Sequence, residues 1–274
     1  MLYYKVIILS VLVALTFIPL FNDDVFGHGL GADQAPPIDF AGMLVTVSTI
    51  MTPSDITVGE VDRANLQIRF FDQSTDTNLE SVTYRVEIFQ SGELLAREYF
   101  YDKDGELNVQ IRPKGGCFEP DPWRCTIYYG DREPISGGLQ SRGTSVPVIQ
   151  GPIFTKGGLY NIQVIIEGAT SPKTLVAEPL EFSTFVSVAQ DQFFSIPEAS
   201  ADVPITIKTY YDDISEFKFN VSDKSISFKM PFDWSPDYID LVAVVHEEIR
   251  FPKSYEPYSS EKDFVGYVDG VQVD

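Results

Sequence analysis

Short runs of β-branched and aromatic residues with alternating apolar character follow one another after residue 40, and they constrain the fold most strongly. In Ala64–Phe71, for example, Leu66, Ile68 and Phe70 lie on one face of an extended chain. Nineteen Gly and 18 Pro punctuate the sequence, as expected for many strands joined by tight turns. The pattern predicts an all-β fold.

The first part of the chain carries the strand count and spacing of an immunoglobulin-like sandwich. Gly158–Leu159–Tyr160 is typical of a tyrosine corner, in which the phenol hydroxyl bonds back to the chain. Residues 113–157 read as one long excursion between strands. We therefore predict an immunoglobulin-like β-sandwich domain over residues 28–189. Its seven strands are predicted at Leu44–Ile50, Ala64–Phe71, Val82–Phe89, Arg97–Tyr101, Glu106–Arg112, Gly158–Glu167 and Leu180–Val188.

A second, smaller β-rich module is predicted over residues 190–274. Asp269–Gly270 is a strong hairpin signal, and Ser235–Pro236 suits the start of a short helical turn. In Leu241–Phe251 the valine content favours a strand, with a helix as the alternative. The remaining strands of this module are predicted at Val203–Tyr211, Glu216–Val221 and Ser225–Met230.

Residues 1–27 have the pattern of a signal peptide. Lys5 precedes an apolar run at Val6–Phe21, and the small residues Val25 and Gly27 suit cleavage after Gly27. The run is short for a membrane span of about 20 residues, but an uncleaved N-terminal anchor stays open as the one route to the membrane. In either case the acidic remainder is predicted to lie outside the cytoplasm.

The two cysteines of the chain, Cys117 and Cys125, bracket the sequence CFEPDPWRC. Pro120 and Pro122 restrict this loop, and closing so small a ring is geometrically easy. We predict a disulfide, which fits a secreted or cell-surface protein in an oxidising compartment.

The chain has 40 acidic against 20 basic residues, a formal charge of −20. Phosphate recognition needs clustered Lys and Arg, and anionic lipid also attracts basic segments. The composition therefore argues against nucleic acid and against adsorption on anionic membranes.

Four segments of the sequence carry a resemblance: HGLGADQAPP from His28, PSDITVGEVDRANLQIRFFD from Pro53, GGLYNIQVIIEGATSPKTLVAEPL from Gly157 and MPFDWSPDY from Met230. Together they resemble exported, uncharacterised β-sandwich surface proteins of ammonia-oxidising archaea. The resemblance implies export and a β architecture, and it implies no catalytic residue. It also implies longer relatives, so that continuation of the protein beyond Asp274 stays open.

His28 offers a copper hypothesis. Cleavage after Gly27 would make His28 the mature N-terminus, and its amine and imidazole would form a bidentate copper ligand that His246 completes. The alternative is a frayed Gly-rich start at His28 and a half-buried sheet histidine at His246.

Two acidic loops offer a calcium hypothesis, because oxygen ligands at every second residue can wrap a hard cation. Neither loop completes the EF-hand pattern, and Asp-rich turns commonly have a purely conformational cause. The loops contain Asp72, Ser74, Asp76, Asn78 and Glu80 in the first, and Asp102, Asp104 and Glu106 in the second.

Signatures of enzymes are mostly absent: the chain has no nucleophile-elbow, Walker or dinucleotide motif, and HEEIR at His246 does not complete a zinc-protease motif. Asn220–Val221–Ser222 is one N-glycosylation sequon. We expect a non-catalytic cell-surface or envelope protein with a structural or binding role, whose partners are other envelope proteins or surface glycans. A copper-binding accessory protein or oxidase subunit is the first alternative, and a carboxylate-based hydrolase is the second.

Overall fold

The structure, a computed structural model, describes residues 31–141, 145–170, 178–197, 202–210, 213–230, 247–255 and 265–273. These residues form β-strands almost throughout and contain no α-helix; a 3₁₀ turn lies at Pro122–Cys125. The predicted all-β fold is confirmed. Within the same ranges no helix is both long enough and apolar enough to cross a membrane.

The first sheet has the strand order β1-β3-β5-β9-β12-β10, with β2 paired to β3 and β6 to β5. All its pairs are antiparallel except β9 with β12. Its strands are β1 (Ala32–Gln34), β2 (Ile38–Phe40), β3 (Met43–Thr52), β5 (Ala64–Asp72), β6 (Thr77–Asn78), β9 (Glu106–Pro113), β10 (Ile127–Tyr129) and β12 (Val148–Gly151).

The second sheet has the order β11-β8-β7-β13-β14-β15-β18, with β4 parallel to β14. Two further antiparallel hairpins, β16–β17 and β19–β20, form two-stranded sheets of their own and do not pair with strands of either large sheet. The strands are β4 (Ile56–Thr57), β7 (Val82–Gln90), β8 (Glu93–Asp102), β11 (Leu139–Gln140), β13 (Gly158–Gly168), β14 (Leu180–Ile196), β15 (Val203–Thr209), β16 (Ser215–Asn220), β17 (Ser225–Lys229), β18 (Glu247–Arg250), β19 (Gly266–Val268) and β20 (Val271–Val273).

One apolar core lies between the two sheets. Alternate residues of β5 (Leu66, Ile68 and Phe70) are fully buried, as the period of two along a strand requires. The ring centroids of Phe70 in the first sheet and Phe182 in the second lie 5.9 Å apart. The two sheets therefore pack face to face.

Strand β14 is 17 residues long and serves two regions of the protein. Its first half pairs with β13, and its second half, from Gln190, pairs with β15. The predicted domain boundary at residue 190 lies within this continuous strand. A second, separate group of buried residues begins at the end of β14: Ile196, Ile205, Ile207 and Ile214.

The predicted tyrosine corner is confirmed. Tyr160 lies near the start of β13, and its hydroxyl donates a hydrogen bond to the carbonyl oxygen of Lys156 at 2.9 Å. Burial raises the pKa of this phenol to about 12, so that Tyr160 keeps its proton. The bond ties the loop before β13 to the strand.

The predicted excursion at residues 113–157 contains more structure than a loop. It includes β10, β11 and β12, and β12 joins the first sheet through a parallel ladder with β9. Residues 241–246 and the predicted helical turn at Ser235 lie outside the described residues, as does the predicted signal peptide. The strand alternative is confirmed for Glu247–Arg250, and the predicted hairpin turn is confirmed at Asp269–Gly270.

Candidate functional site

A cleft of about 820 Å³ lies where β14 passes from one region to the other. Four stretches of chain line it: residues 57–60 after β4, the β7–β8 turn at residues 90–93, the loop at residues 155–158, and residues 190–193 of β14. Thr209 and Asp213 complete the wall. Clefts of this volume commonly hold small ligands.

Gly157 fixes one wall of the cleft. Its carbonyl oxygen accepts a hydrogen bond from Gln90 Nε2 at 2.9 Å, and its N–H donates to Gln190 Oε1 at 3.1 Å. A Cβ at this position would lie 2.7 Å from Cβ of Gln190, so that a side chain would push the two apart. Together with the tyrosine corner, these contacts hold the 155–158 loop in one position.

Acidic side chains predominate in the cleft lining, and an aromatic ring accompanies them. The lining contains four acidic residues, Glu60, Glu93, Asp191 and Asp213, and one basic residue, Lys156. Phe193 is 78% exposed although it lies within a sheet strand. The cleft therefore combines negative potential with an open apolar surface.

Asp191 connects the cleft with a row of charges across the second sheet. The register places it opposite Lys208 on β15, and Lys208 opposite Glu248 on β18. Neighbouring residues across a sheet point to the same face. Arg250 Nη1 lies 3.6 Å from Asp191 Oδ2, while Asp191 Oδ1 is buried without a hydrogen-bond donor among the described residues.

Lys208 is only 2% exposed, and an ion pair compensates its charge. Its Nζ lies 2.5 Å from Oδ2 of Asp55, which belongs to the segment just before β4. Tyr210 Oη lies 3.2 Å from Asp55 Oδ1 and 3.4 Å from Glu248 Oε1. Burial alone would lower the pKa of Lys208, but the hydrogen bonds with Asp55 and Tyr210 raise it above the ordinary value. The lysine is therefore a structural cation.

Glu247 lies on the opposite face of β18. Burial raises its pKa to about 7, although Thr209 Oγ1 donates to Oε1 at 3.0 Å and the backbone of Tyr210 adds a second hydrogen bond. Its Oε2 is buried without a donor in the described part of the chain. No sequence motif marks Glu247 as a site residue, since an acid beside a valine-rich run carries no recognised pattern.

Two carboxylates of the calcium hypothesis, Asp72 and Asp102, cap turns. Asp72 accepts hydrogen bonds from Ser74 N and Thr75 Oγ1, and Asp102 Oδ1 accepts from Asp104 N at 2.8 Å and Glu106 N at 3.0 Å. Asp76 pairs with the Arg69 guanidinium at 2.8 Å.

Asn78 joins these two acidic loops by donating to the carbonyl oxygen of Asp104 at 3.2 Å. In the first loop, the Arg69 guanidinium already pairs with the carboxylate of Asp76. Among the described residues no group of three or more His, Cys, Asp and Glu is placed to hold a metal ion. The calcium hypothesis stays a prediction.

Two other predicted sites differ in what the structure shows. His28 and His246, the residues of the copper hypothesis, lie outside the described residues. Asn220 is exposed at the end of β16, and its Oδ1 accepts a hydrogen bond from Ser222 N at 3.0 Å. Glycosylation of this residue stays a prediction.

The predicted disulfide is confirmed, with the sulfur atoms of Cys117 and Cys125 2.07 Å apart. The segment of residues 117–135, which begins with this loop, lies along β8. Tyr128 Oη accepts a hydrogen bond from Arg97 N at 2.8 Å, and Arg132 Nη2 lies 2.8 Å from Glu98 Oε2. The segment and β8 expose a set of large apolar side chains, which we call the loop surface: Tyr99, Phe118, Trp123, Ile127, Tyr129 and Ile135.

No protein-family model, curated protein or solved structure matches this chain. Its function is therefore inferred from the surfaces described above and from the sequence.

Proposed function

We propose that the protein is exported and acts without catalysis at the cell surface, where it binds other envelope proteins or surface glycans. The signal-peptide pattern of residues 1–27 supports export. The Cys117–Cys125 disulfide fits an oxidising compartment. The resemblance to exported surface proteins of ammonia-oxidising archaea points the same way.

The order of the seven long strands supports an immunoglobulin-like sandwich within this proposal. In chain order they are β3, β5, β7, β8, β9, β13 and β14; the first, second and fifth form one sheet. The fourth, third, sixth and seventh adjoin one another in the other sheet. Immunoglobulin constant domains have the same order, except that the fourth strand pairs with the fifth. Tyr160 near the start of the sixth strand occupies the place of the tyrosine corner.

The exposed aromatic side chain of Phe118 carries the binding proposal. Phe118 is 97% exposed, and it lies within the small ring that the disulfide closes. Trp123 follows in the 3₁₀ turn of the same ring, with the guanidinium of Arg124 5.5 Å from its ring centroid. Restricting the backbone of this ring before association reduces the entropy lost on binding, and aromatic residues are enriched at interfaces.

The test measures binding of purified protein, produced without residues 1–27 in an oxidising compartment, to envelopes of the cells that encode it. The double variant Phe118→Ser and Trp123→Ser should lose at least about tenfold in affinity, since anchor residues commonly contribute 1.4 kcal/mol or more. Val221→Ser, also an exposed apolar side chain but in the β16–β17 turn, is the matched control.

Equal binding by the double variant and the wild type would reject the loop surface as the binding site. Mass spectrometry of the native N-terminus tests export separately. A chain that keeps residues 1–27 and is found in the cytoplasm would refute the proposed location.

A further inference from the structure

We propose that the cleft beside β14 is a binding site for a neutral oligosaccharide of two or three sugar units. The site is distinct from the loop surface, and the inference does not depend on export. The chemistry of the lining, described next, favours this class of ligand over anions and over organic cations.

The cleft is formed before any ligand arrives. Two glutamine side chains and the tyrosine corner hold its 155–158 wall, and the β7–β8 turn supplies the wall that carries Ser91 and Glu93. A volume of about 820 Å³ is at the upper end of the range for small-ligand sites. A preorganised site of this size suits a flexible polar ligand, because little further ordering of the protein is needed.

Phe193 supplies a flat apolar surface inside a polar cleft. Asp191 and Phe193 are two residues apart on β14, so their side chains leave the same face of the strand, about 7 Å apart along it. Carbohydrate rings present C–H groups on one face and hydroxyl groups at the edge. A sugar packed on the ring of Phe193 would place its edge hydroxyls near Asp191.

The polar groups of the lining can accept hydrogen bonds from sugar hydroxyls and can donate hydrogen bonds to them. The carboxylates of Glu60, Glu93 and Asp191 accept hydrogen bonds, and the Ser91 hydroxyl can both donate and accept. The Thr155 hydroxyl donates to the carbonyl oxygen of Pro152 and can still accept. Asp191 Oδ1 itself is buried, so a sugar hydroxyl in the cleft would meet the accessible part of the Asp191 side chain, which is 19% exposed.

The same groups argue against charged ligands. The lining has four carboxylates and Lys156, and Arg250 lies beside Asp191. The excess of negative charge that remains disfavours phosphates, sulfates and sugar acids. A site for an organic cation needs acceptors around the charge, yet here hydroxyl and amide donors share the lining. A neutral molecule that offers many donors and acceptors fits both sets.

The experiment uses the chain produced without residues 1–27, with saturation-transfer-difference NMR. The probes are maltotriose, cellotriose and mannotriose, with spermidine as the cationic comparison. We expect saturation transfer to the C–H protons of at least one trisaccharide. Phe193→Ala should weaken that binding at least about tenfold, and Asp191→Asn by about threefold to tenfold.

Phe118→Ala is the matched control, because it removes another exposed phenylalanine, which belongs to the loop surface, and it should leave trisaccharide binding unchanged. Phe193 is exposed, so its variant should keep the circular dichroism and melting temperature of the wild type. No transfer to any trisaccharide, or equal binding by Phe193→Ala, would overturn the inference. Binding of spermidine alone, abolished by salt, would overturn it in favour of a cation site.

Discussion

The two regions that share β14 differ greatly in how much apolar side chain they bury. Of the described residues, 32 form the core between the two sheets, whereas the region after residue 190 has a group of four buried isoleucines. In the second region, aromatic side chains such as Phe194 and Phe217, with ring centroids 4.3 Å apart, are only partly buried. A small core that is partly open to water contributes less to stability. Among the described residues, strand β14 and the Lys208–Asp55 ion pair connect the second region to the first.

The largest expected effects come from deleting one large side chain in each core. Phe100→Ala in the first core should lower the free energy of unfolding by about 3–5 kcal/mol, and Ile205→Ala in the second by about 2 kcal/mol. Hydrogen exchange should show faster opening of both regions in Phe100→Ala. In Ile205→Ala it should show faster opening of β15 and β18 alone. Equal loss of protection in β5 and β7 of Ile205→Ala would mean that the two regions unfold as one unit.

Removing the disulfide tests how much the Cys117–Cys125 ring contributes to the stability of the first region. The paired substitution of Cys117 and Cys125 by Ser should lower the free energy of unfolding by about 2–3 kcal/mol, because the open chain gains conformational entropy in the unfolded state. Denaturant titration measures this loss, and hydrogen exchange of β15 should stay unchanged. A change in β15 would show coupling between the loop surface and the second region.

Loss of Asp55 and loss of Lys208, the two partners of the ion pair that links the regions, should change the stability of the protein by different amounts. Asp55→Ala leaves Lys208 buried without its anion and should destabilise the protein by about 1–3 kcal/mol, less than for a wholly buried pair because half of the Asp55 side chain is open to water. Lys208→Met leaves a carboxylate that water can reach and should change stability by less than about 1 kcal/mol. Thermal melts of the two variants check the order; the reverse order would contradict a structural role for the lysine.

Glu247 makes the second region sensitive to pH. Its pKa of about 7 exceeds the ordinary value of 4.5, so the folded state binds the proton more tightly than the unfolded state. The resulting stabilisation is complete below pH 4.5 and is lost as the pH rises to about 7.

Because the Glu247 side chain is partly open to water, we expect a loss of about 1–2 kcal/mol rather than the full value of the shift. Glu247→Gln should remove this part of the pH dependence in denaturant titrations at pH 4.5 and 8. An unchanged pH profile would show that Glu247 ionises normally.

Local features of the fold were predictable, and features built from distant residues were not. The alternation in Leu66, Ile68 and Phe70 predicts a strand, and Tyr160 bonds back only four residues. The continuation of β14 past Val188 was missed, because Gln190–Asp191–Gln192 interrupts the apolar pattern and pairing with β15 maintains the strand instead.

The cleft could not be predicted from the sequence, for the same physical reason. Its walls are turns far apart in sequence, and the Lys208–Asp55 pair spans 153 residues. Nothing in either local sequence indicates that the two will meet. The disulfide was predictable, since eight positions separate its cysteines.

Strand β14 also determines how the molecule carries mechanical load. Its 17 residues extend over about 55 Å, and its first half is paired with nine consecutive residues of β13. Tension applied to the second region runs along the strand axis and loads that ladder in shear, so that its hydrogen bonds must yield together rather than one at a time.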